Sequence, residues 1–172
     1  GIPSLDGSTW SAIARGPEEL APRATGAIEA ALAAGLAPVK VNVVMLRGTN
    51  DDPTPWLDLV RRLPIEVRFI EFMPMGPSDG ADLFVPASET EARLREASNV
   101  AWERAGSEAG RGPVKETWRV GGSPGTIGFI HAMSDHFCAR CNRLRLTSDG
   151  HLRTCLFSDD ELDLKPALRP SI

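Results

Sequence analysis

The stretch "PVKVNVVMLRGTNDDPTPWLDLVRRLPIEVRFIEFM", residues 38–73, decides the fold. Its first part alternates: Val39, Val41, Val43 and Met45 fall on one side of an extended chain, and Lys40, Asn42 and Val44 on the other. That two-residue period is a strand whose second face carries polar groups. Thr54 and Pro55 then supply an N-cap and a first helical residue, and Trp56, Leu57, Leu59, Val60 and Leu63 follow at helical spacing. Ile65 to Met73 reads as a second strand. Upstream, Pro17 suits the first turn of another helix, whose stripe of Leu20, Ala24, Ala27, Ile28, Ala31 and Leu32 stops at Gly35. Helix, strand, helix and strand with short connections imply parallel strands joined by right-handed crossovers. The expected class is α/β, the C-terminal part of an incomplete (β/α) TIM-like barrel.

Beyond this stretch the texture changes. Gly76, Pro77, Gly80 and Pro86 make a loop, and Ser88 with Glu91 predicts a capping box for a helix reaching about Ala97. Residues 106–125 are rich in glycine and proline around one short strand near "VKETWRV". Then come "TIGFI" and two arms, "RLRLTS" and "HLRTCLF", on either side of Asp149-Gly150, a tight-hairpin signal. A last helix is expected to start within "DDELDLKPALRP". Two regions are expected: 1–75, the later strands and helices of a partial β/α barrel, and 76–172, an α+β, hairpin-rich region.

With 172 residues, 42% of them hydrophobic, the chain can bury an ordinary core, which excludes disorder of the whole. The net charge of -4 gives no global attraction to nucleic acid or to an anionic membrane, so an anion site must be local. No apolar run approaches the roughly 18 residues of a spanning helix, and no leader pattern opens the chain. The expectation is a cytoplasmic protein with neither nucleic-acid nor membrane partners. Opening on Gly1 rather than Met suggests a fragment or a processed product.

All three cysteines lie in "FCARCNRLRLTSDGHLRTC", residues 137–155. Cys138 and Cys141 are spaced so that one turn can aim both sulfurs at one metal, and Cys155 returns on the far arm of the hairpin. Three thiolates plus His136, or less favourably His131, would make a closed zinc site. An iron-sulfur cluster on three thiolates would instead leave one iron open to a small molecule. Spacing leaves both open. Arg140, Arg143, Arg145 and Arg153 against Asp149 alone give this segment a local charge of +3. Arg143 and Arg145, two apart on a strand, would share a face suited to phosphate or a purine edge.

Taken together, "VKVNVVMLRGTND", "RFIEFMPMG", "GTIGFI" and "SDHFCARCNRLRLTSDGHLRTCLF" resemble, in order along nearly the whole chain, the MoaA family of radical-SAM GTP 3',8-cyclases of molybdenum cofactor (molybdopterin) biosynthesis. The resemblance implies that Cys138, Cys141 and Cys155 hold a second 4Fe-4S cluster whose open iron faces the purine of GTP. It assigns Arg143, Leu144 and Arg145 to GTP binding, with Lys40 and, further, Arg68. Met73 and Ser4 match positions that contact S-adenosylmethionine. Each has a plainer reading: Lys40 at a strand edge, Arg68 on the surface, Met73 as core packing, and Ser4 beside a proline that breaks its strand.

In the complete enzyme the resemblance implies, GTP becomes (8S)-3',8-cyclo-7,8-dihydroguanosine 5'-triphosphate. A 5'-deoxyadenosyl radical takes the ribose 3'-hydrogen, and the carbon radical attacks purine C8. That enzyme is a lyase and a homodimer, and it hands its product to cyclic pyranopterin monophosphate synthase. The CxxxCxxC motif that cleaves S-adenosylmethionine does not occur here, since no cysteine precedes Cys138. This chain is therefore expected to be the substrate-binding portion, to carry no catalytic residue of its own, to need the missing N-terminal half, and to be inactive and poorly soluble in isolation. The alternatives are a zinc-stabilised Cys3His interaction module without catalysis, or an inactive truncated product.

Overall fold

A computed structural model describes residues 1–74, 80–106, 114, 116–135, 141, 143–155 and 157–168. The first helix, α1 (Gly7–Ala14), was not foreseen, because "GSTWSAIA" is poor in helix-forming apolar periodicity. Its cap carries the signal instead. Asp6 accepts the N–H of Thr9 at 2.8 Å, and that bond, with one from the Ser8 hydroxyl, pushes its carboxyl down to about 2. The second helix starts later than its proline suggested. Pro17 leads a 3-10 turn, Glu18–Leu20, and α2 runs Ala21–Ala33 with Pro22 in its own first turn.

Strand β1 (Val39–Met45) follows the predicted alternation: Val41, Val43 and Met45 are buried, while Lys40, Asn42 and Val44 are not. Helix α3 (Pro55–Arg62) starts where Thr54-Pro55 placed it, but the Thr54 hydroxyl caps nothing; Asp52 accepts the Thr54 N–H at 3.0 Å instead. Strand β2 (Ile65–Glu71) is followed by α4 (Ala87–Ser98). The expected Ser88–Glu91 capping box does not form. The helix begins two residues earlier, with Pro86 as its N-cap, so Ser88 lies inside the first turn and Glu91 pairs with Arg95 at 2.7 Å. A strand unnoticed in the sequence, β3 (Trp102–Gly106), precedes β4 (Thr117–Val120) and β5 (Thr126–Ile130).

These strands form one mixed sheet in the order β1-β2-β5-β4-β3, with β1, β2 and β5 parallel and β4 and β3 antiparallel. The chain is α/β in class. Its core lies on one side of the sheet, where Ile28 of α2, Trp56, Leu57 and Val60 of α3 and Leu94 of α4 meet Val41, Val43, Val67, Phe69, Ile127 and Phe129. Phe129 stacks between Phe69 and Trp102, with ring centroids 6.0 and 6.5 Å away. Along the edge of β1, Ile2 donates to the Asn42 carbonyl at 3.1 Å, and Asn50 ties the Pro3 carbonyl to that of Val44.

A second compact unit spans Arg140–Ile172, the first spanning Gly1–Ala139. This division differs from the change in texture at residue 75, because β5 joins β2 in the first sheet. The second unit holds β6 (Arg145–Leu146), β7 (His151–Arg153), β8 (Glu161–Asp163) and a short α5 (Lys165–Leu168). Its three strands pair antiparallel in chain order. The β6–β7 turn is a three-residue loop, 148–150, with the Thr147 N–H donating to His151 at 2.9 Å and Gly150 at a φ of 87°. That left-handed position explains the glycine of the Asp149-Gly150 signal. No described helix is long and apolar enough to cross a membrane.

Candidate functional site

Helices cover one face of the first sheet, and the other bears the side chains of opposite parity. Lys40 on β1 lies beside Glu66 on β2, and Asn42 beside Arg68. Glu66 joins the two cations, 2.5 Å from the Arg68 Nε and 3.8 Å from the Lys40 Nζ. Arg68 and Glu66 side chains retain only 12% and 13% exposure, Lys40 31%, so the group is partly withdrawn from water. Lower local dielectric strengthens such attraction and raises the cost of removing either partner. The carboxylate that gathers the cations was missing from the sequence reading. Its signal was present: Glu66 has the parity of Arg68, alternating with the apolar Ile65, Val67 and Phe69.

Toward the C-terminal ends of the parallel strands the same face turns apolar. Ile130, Val114 and Ala132 form a small buried cluster, against which Ile70 and Met73 pack. Gly128, opposite Arg68, leaves room for this covering: a Cβ there would lie 2.9 Å from Val114 Cγ1. Met73 is thus half-buried among apolar neighbours. Ser4 is buried, its hydroxyl accepting the Asp6 N–H at 3.0 Å, and it lines a cavity of about 210 Å³ with Asp6, Thr9, Asn50 and Trp56.

Glu71 is the other acidic residue that sequence reading passed over. It ends the buried parity of Ile65, Val67 and Phe69, and its side chain has 0% exposure. One oxygen accepts the Ala87 N–H at 2.8 Å and the Ser134 hydroxyl; the other accepts the N–H groups of Met133 at 2.7 Å and Ser134 at 2.8 Å. Burial pushes its carboxyl up, but the bonds from Ala87, Ser134 and Met133 outweigh that and hold it below the usual range. His131 is drawn to the same place, its Nδ1 3.3 Å from the Ser134 Oγ and 3.9 Å from Glu71.

In the second unit the three strands set Arg145, Arg153 and Glu161 opposite one another, and Arg153 bonds Glu161. The local positive charge is therefore partly offset by an acid outside the cysteine segment. Arg143 does not share a strand with Arg145: β6 begins at Arg145, and Arg143 and Leu144 precede it, both exposed. Cys141 is exposed, Cys155 half-buried, and both are free thiols. Cys138, Arg140 and His136 lie outside the described residues.

Thiols are the donor chemistry a cluster would need, but among the described residues no group of three or more His, Cys, Asp and Glu side chains is gathered to hold a metal ion. The Phe157 N–H approaches the Cys155 sulfur at 3.4 Å, the kind of bond that favours a charged sulfur and tunes cluster potentials. Among the described residues, Lys40, Arg68 and Met73 lie on the side of the first sheet opposite the helices, whereas Cys141, Arg143, Leu144, Arg145 and Cys155 belong to the second unit.

Similarity to known proteins follows the same outline. A GTP 3',8-cyclase of Moorella thermoacetica is 49% identical over 144 residues, covering 83% of this chain and 44% of the relative. One of Pelotomaculum thermopropionicum is 46% identical over 145 residues, covering 83% and 44%. One of Listeria welshimeri is 36% identical over 174 aligned residues, covering 99% and 51%. The chain spans about half the length of the curated relatives it matches. The Molybdenum Cofactor Synthesis C family matches residues 65–171, more than half of the chain, and to that family the chain belongs.

Proposed function

We propose that this chain is the substrate-binding portion of a radical-SAM GTP 3',8-cyclase acting in molybdenum cofactor biosynthesis. The observation that carries the reading is the placing of Lys40 and Arg68, 28 positions apart in sequence, around the shared carboxylate of Glu66 on the sheet face opposite the helices. In the complete protein β1, β2 and β5 would be the later wall of a radical-SAM barrel, with that face turned to the lumen. Cationic side chains at a barrel's interior are suited to a polyphosphate.

On this reading, Cys138, Cys141 and Cys155 hold a 4Fe-4S cluster, which when bound supplies an open, Lewis-acidic iron to the purine. The chain's own residues position the substrate. Lys40 and Arg68 neutralise phosphate, with Glu66 keeping both side chains on one face until the anion arrives. Arg143 and Arg145 orient the nucleotide, and the exposed Leu144 offers an apolar contact to a flat base. Met73 and Ser4 would border S-adenosylmethionine, Met73 from its apolar cluster and Ser4 from its cavity. These are effects of proximity and of electrostatics arranged in advance. Cleavage of S-adenosylmethionine would need the portion of the relatives that this chain does not span. The setting proposed is cytoplasmic, with GTP as ligand and cyclic pyranopterin monophosphate synthase as recipient of the product.

Isothermal titration of the anaerobically reconstituted chain with GTP tests the reading. Binding is expected and should weaken at least ten-fold in Lys40→Ala with Arg68→Ala, which at about 1.4 kcal/mol per decade is one lost charge-assisted contact or more. GTP heats unchanged by that pair would overturn the role of the face opposite the helices.

A further inference from the structure

The rungs of the first sheet grade its face opposite the helices from charged to apolar. Register puts Lys40, Glu66 and Thr126 on one rung, Asn42, Arg68 and Gly128 on the next, and Val44, Ile70 and Ile130 beyond them. The Glu66 carboxylate holds the Arg68 Nε at 2.5 Å and stands 3.8 Å from the Lys40 Nζ, inside the field that a phosphate would use. A Cβ at Gly128 would come within 3.6 Å of its Oε1, so the carboxylate leans over the rung of Arg68 rather than away from it. An acid is an odd companion for two cations that have only to attract an anion. In this partly dehydrated place its charge opposes a bound phosphate much as either cation draws it in.

We propose that Glu66 is a positioning residue that sets the release of the triphosphate: it holds Arg68 and Lys40 in place and, by opposing the phosphates, keeps the ligand exchangeable. This rests on the reading of Lys40 and Arg68 as phosphate contacts. On that reading substrate and product carry the same 5'-triphosphate, so phosphate contacts bind both alike, and unopposed they would detain the product. A bracing role alone predicts the opposite sign. If Glu66 only steadies Arg68, its loss frees the guanidinium and GTP binds more weakly. If its charge matters, Glu66→Gln keeps the shape and an oxygen to accept from Arg68, leaves the cations one carboxylate fewer, and GTP binds more tightly. The opposition scales with ligand charge, so GTP gains more than GMP.

The test compares wild type, Glu66→Gln and Glu66→Asp as anaerobically reconstituted chains, with far-ultraviolet circular dichroism as the check on folding. Equilibrium dialysis of radiolabelled GTP, with GMP as competitor, gives the affinities, and a chase with excess unlabelled GTP gives the dissociation rate. Glu66→Gln is expected to bind GTP about three-fold or more tightly, to release it more slowly by a similar factor, and to improve GMP by less. Release at or above the wild-type rate, or GMP gaining as much as GTP, overturns the proposal. Should Glu66→Gln fail to fold, Glu66→Asp decides, because it draws the carboxylate back by one methylene: slower release upholds the proposal, and release as fast as wild type or faster overturns it. Lys40→Ala with Arg68→Ala separates this proposal from the reading beneath it. If that pair leaves GTP binding unchanged, or wild type binds no GTP, the phosphate reading falls and this proposal with it. If the pair weakens binding while Glu66→Gln releases GTP as wild type does, this proposal falls alone.

Discussion

The two sheets of this chain are held by different forces. In the first, three helices bury Val43, Val60, Val67 and Ile127 to 0% exposure, and aromatic rings stack through Phe129. In the second, Leu146, Leu152 and Leu162 line up across three strands, yet Leu146 and Leu162 keep 67% and 61% exposure. What orders the second sheet is a turn, Thr147 bonding Asp149 and His151, and the Arg153–Glu161 pair. A sheet of three short strands with little buried surface draws stability from cross-links or metals. The contrast teaches where each should break: the first when packing is removed, the second when the cluster proposed for its cysteines is withheld.

The largest expected effect is Phe129→Ala, which empties the centre of an aromatic stack and should cost about 3–5 kcal/mol. Urea unfolding followed by tryptophan fluorescence measures it. A loss below 1 kcal/mol would show that the first sheet does not depend on that core.

Next is pH. The folded Glu71 carboxyl titrates below its unfolded value, so its stabilisation is present above the unfolded pKa and is lost as pH falls through the folded one. The melting temperature of wild type should therefore decline steeply below about pH 4.5, and that of Glu71→Gln less steeply, from a lower neutral-pH value. Parallel curves would remove Glu71 from the acid transition. Smaller still is Gly150→Ala, expected to destabilise the apo second sheet by about 1–2 kcal/mol because the turn needs a φ of 87°. Amide hydrogen exchange at His151 and Leu152 reads it locally. The smallest is Leu162→Ala, within about 0.5 kcal/mol in the metal-free chain because the side chain is already solvated. A large loss there would mean that the leucine row is buried in solution.

What the sequence disclosed follows from what each element depends on. Strands β1 and β2 and helices α2 and α3 carry their own apolar period, and the parallel order of those two strands follows from a short crossover, whereas β5 joins them only after α4, β3 and β4. Helix α1 and strand β3 lack such a pattern and are held by tertiary contacts. The capping of α4 was misread because its acceptor, Glu71, lies 16 positions away, and no local box can reveal it. At the site, Lys40 and Arg68 came from the family resemblance, and Glu66, though it shares the parity of Arg68, is set between them only by the register of the two strands. Arg143 was assigned to a strand that begins only at Arg145, since alternation does not say where pairing starts.

The central claim is that the cysteine segment holds an iron-sulfur cluster open to GTP. Its most direct test is metal analysis of the chain reconstituted without air, followed by electron paramagnetic resonance of the reduced cluster with and without GTP. One 4Fe-4S cluster per chain is predicted, with a spectrum that shifts on GTP addition and fails to shift when Arg143 and Arg145 are alanine. One tightly held zinc per chain, indifferent to GTP and dependent on His136, would contradict it.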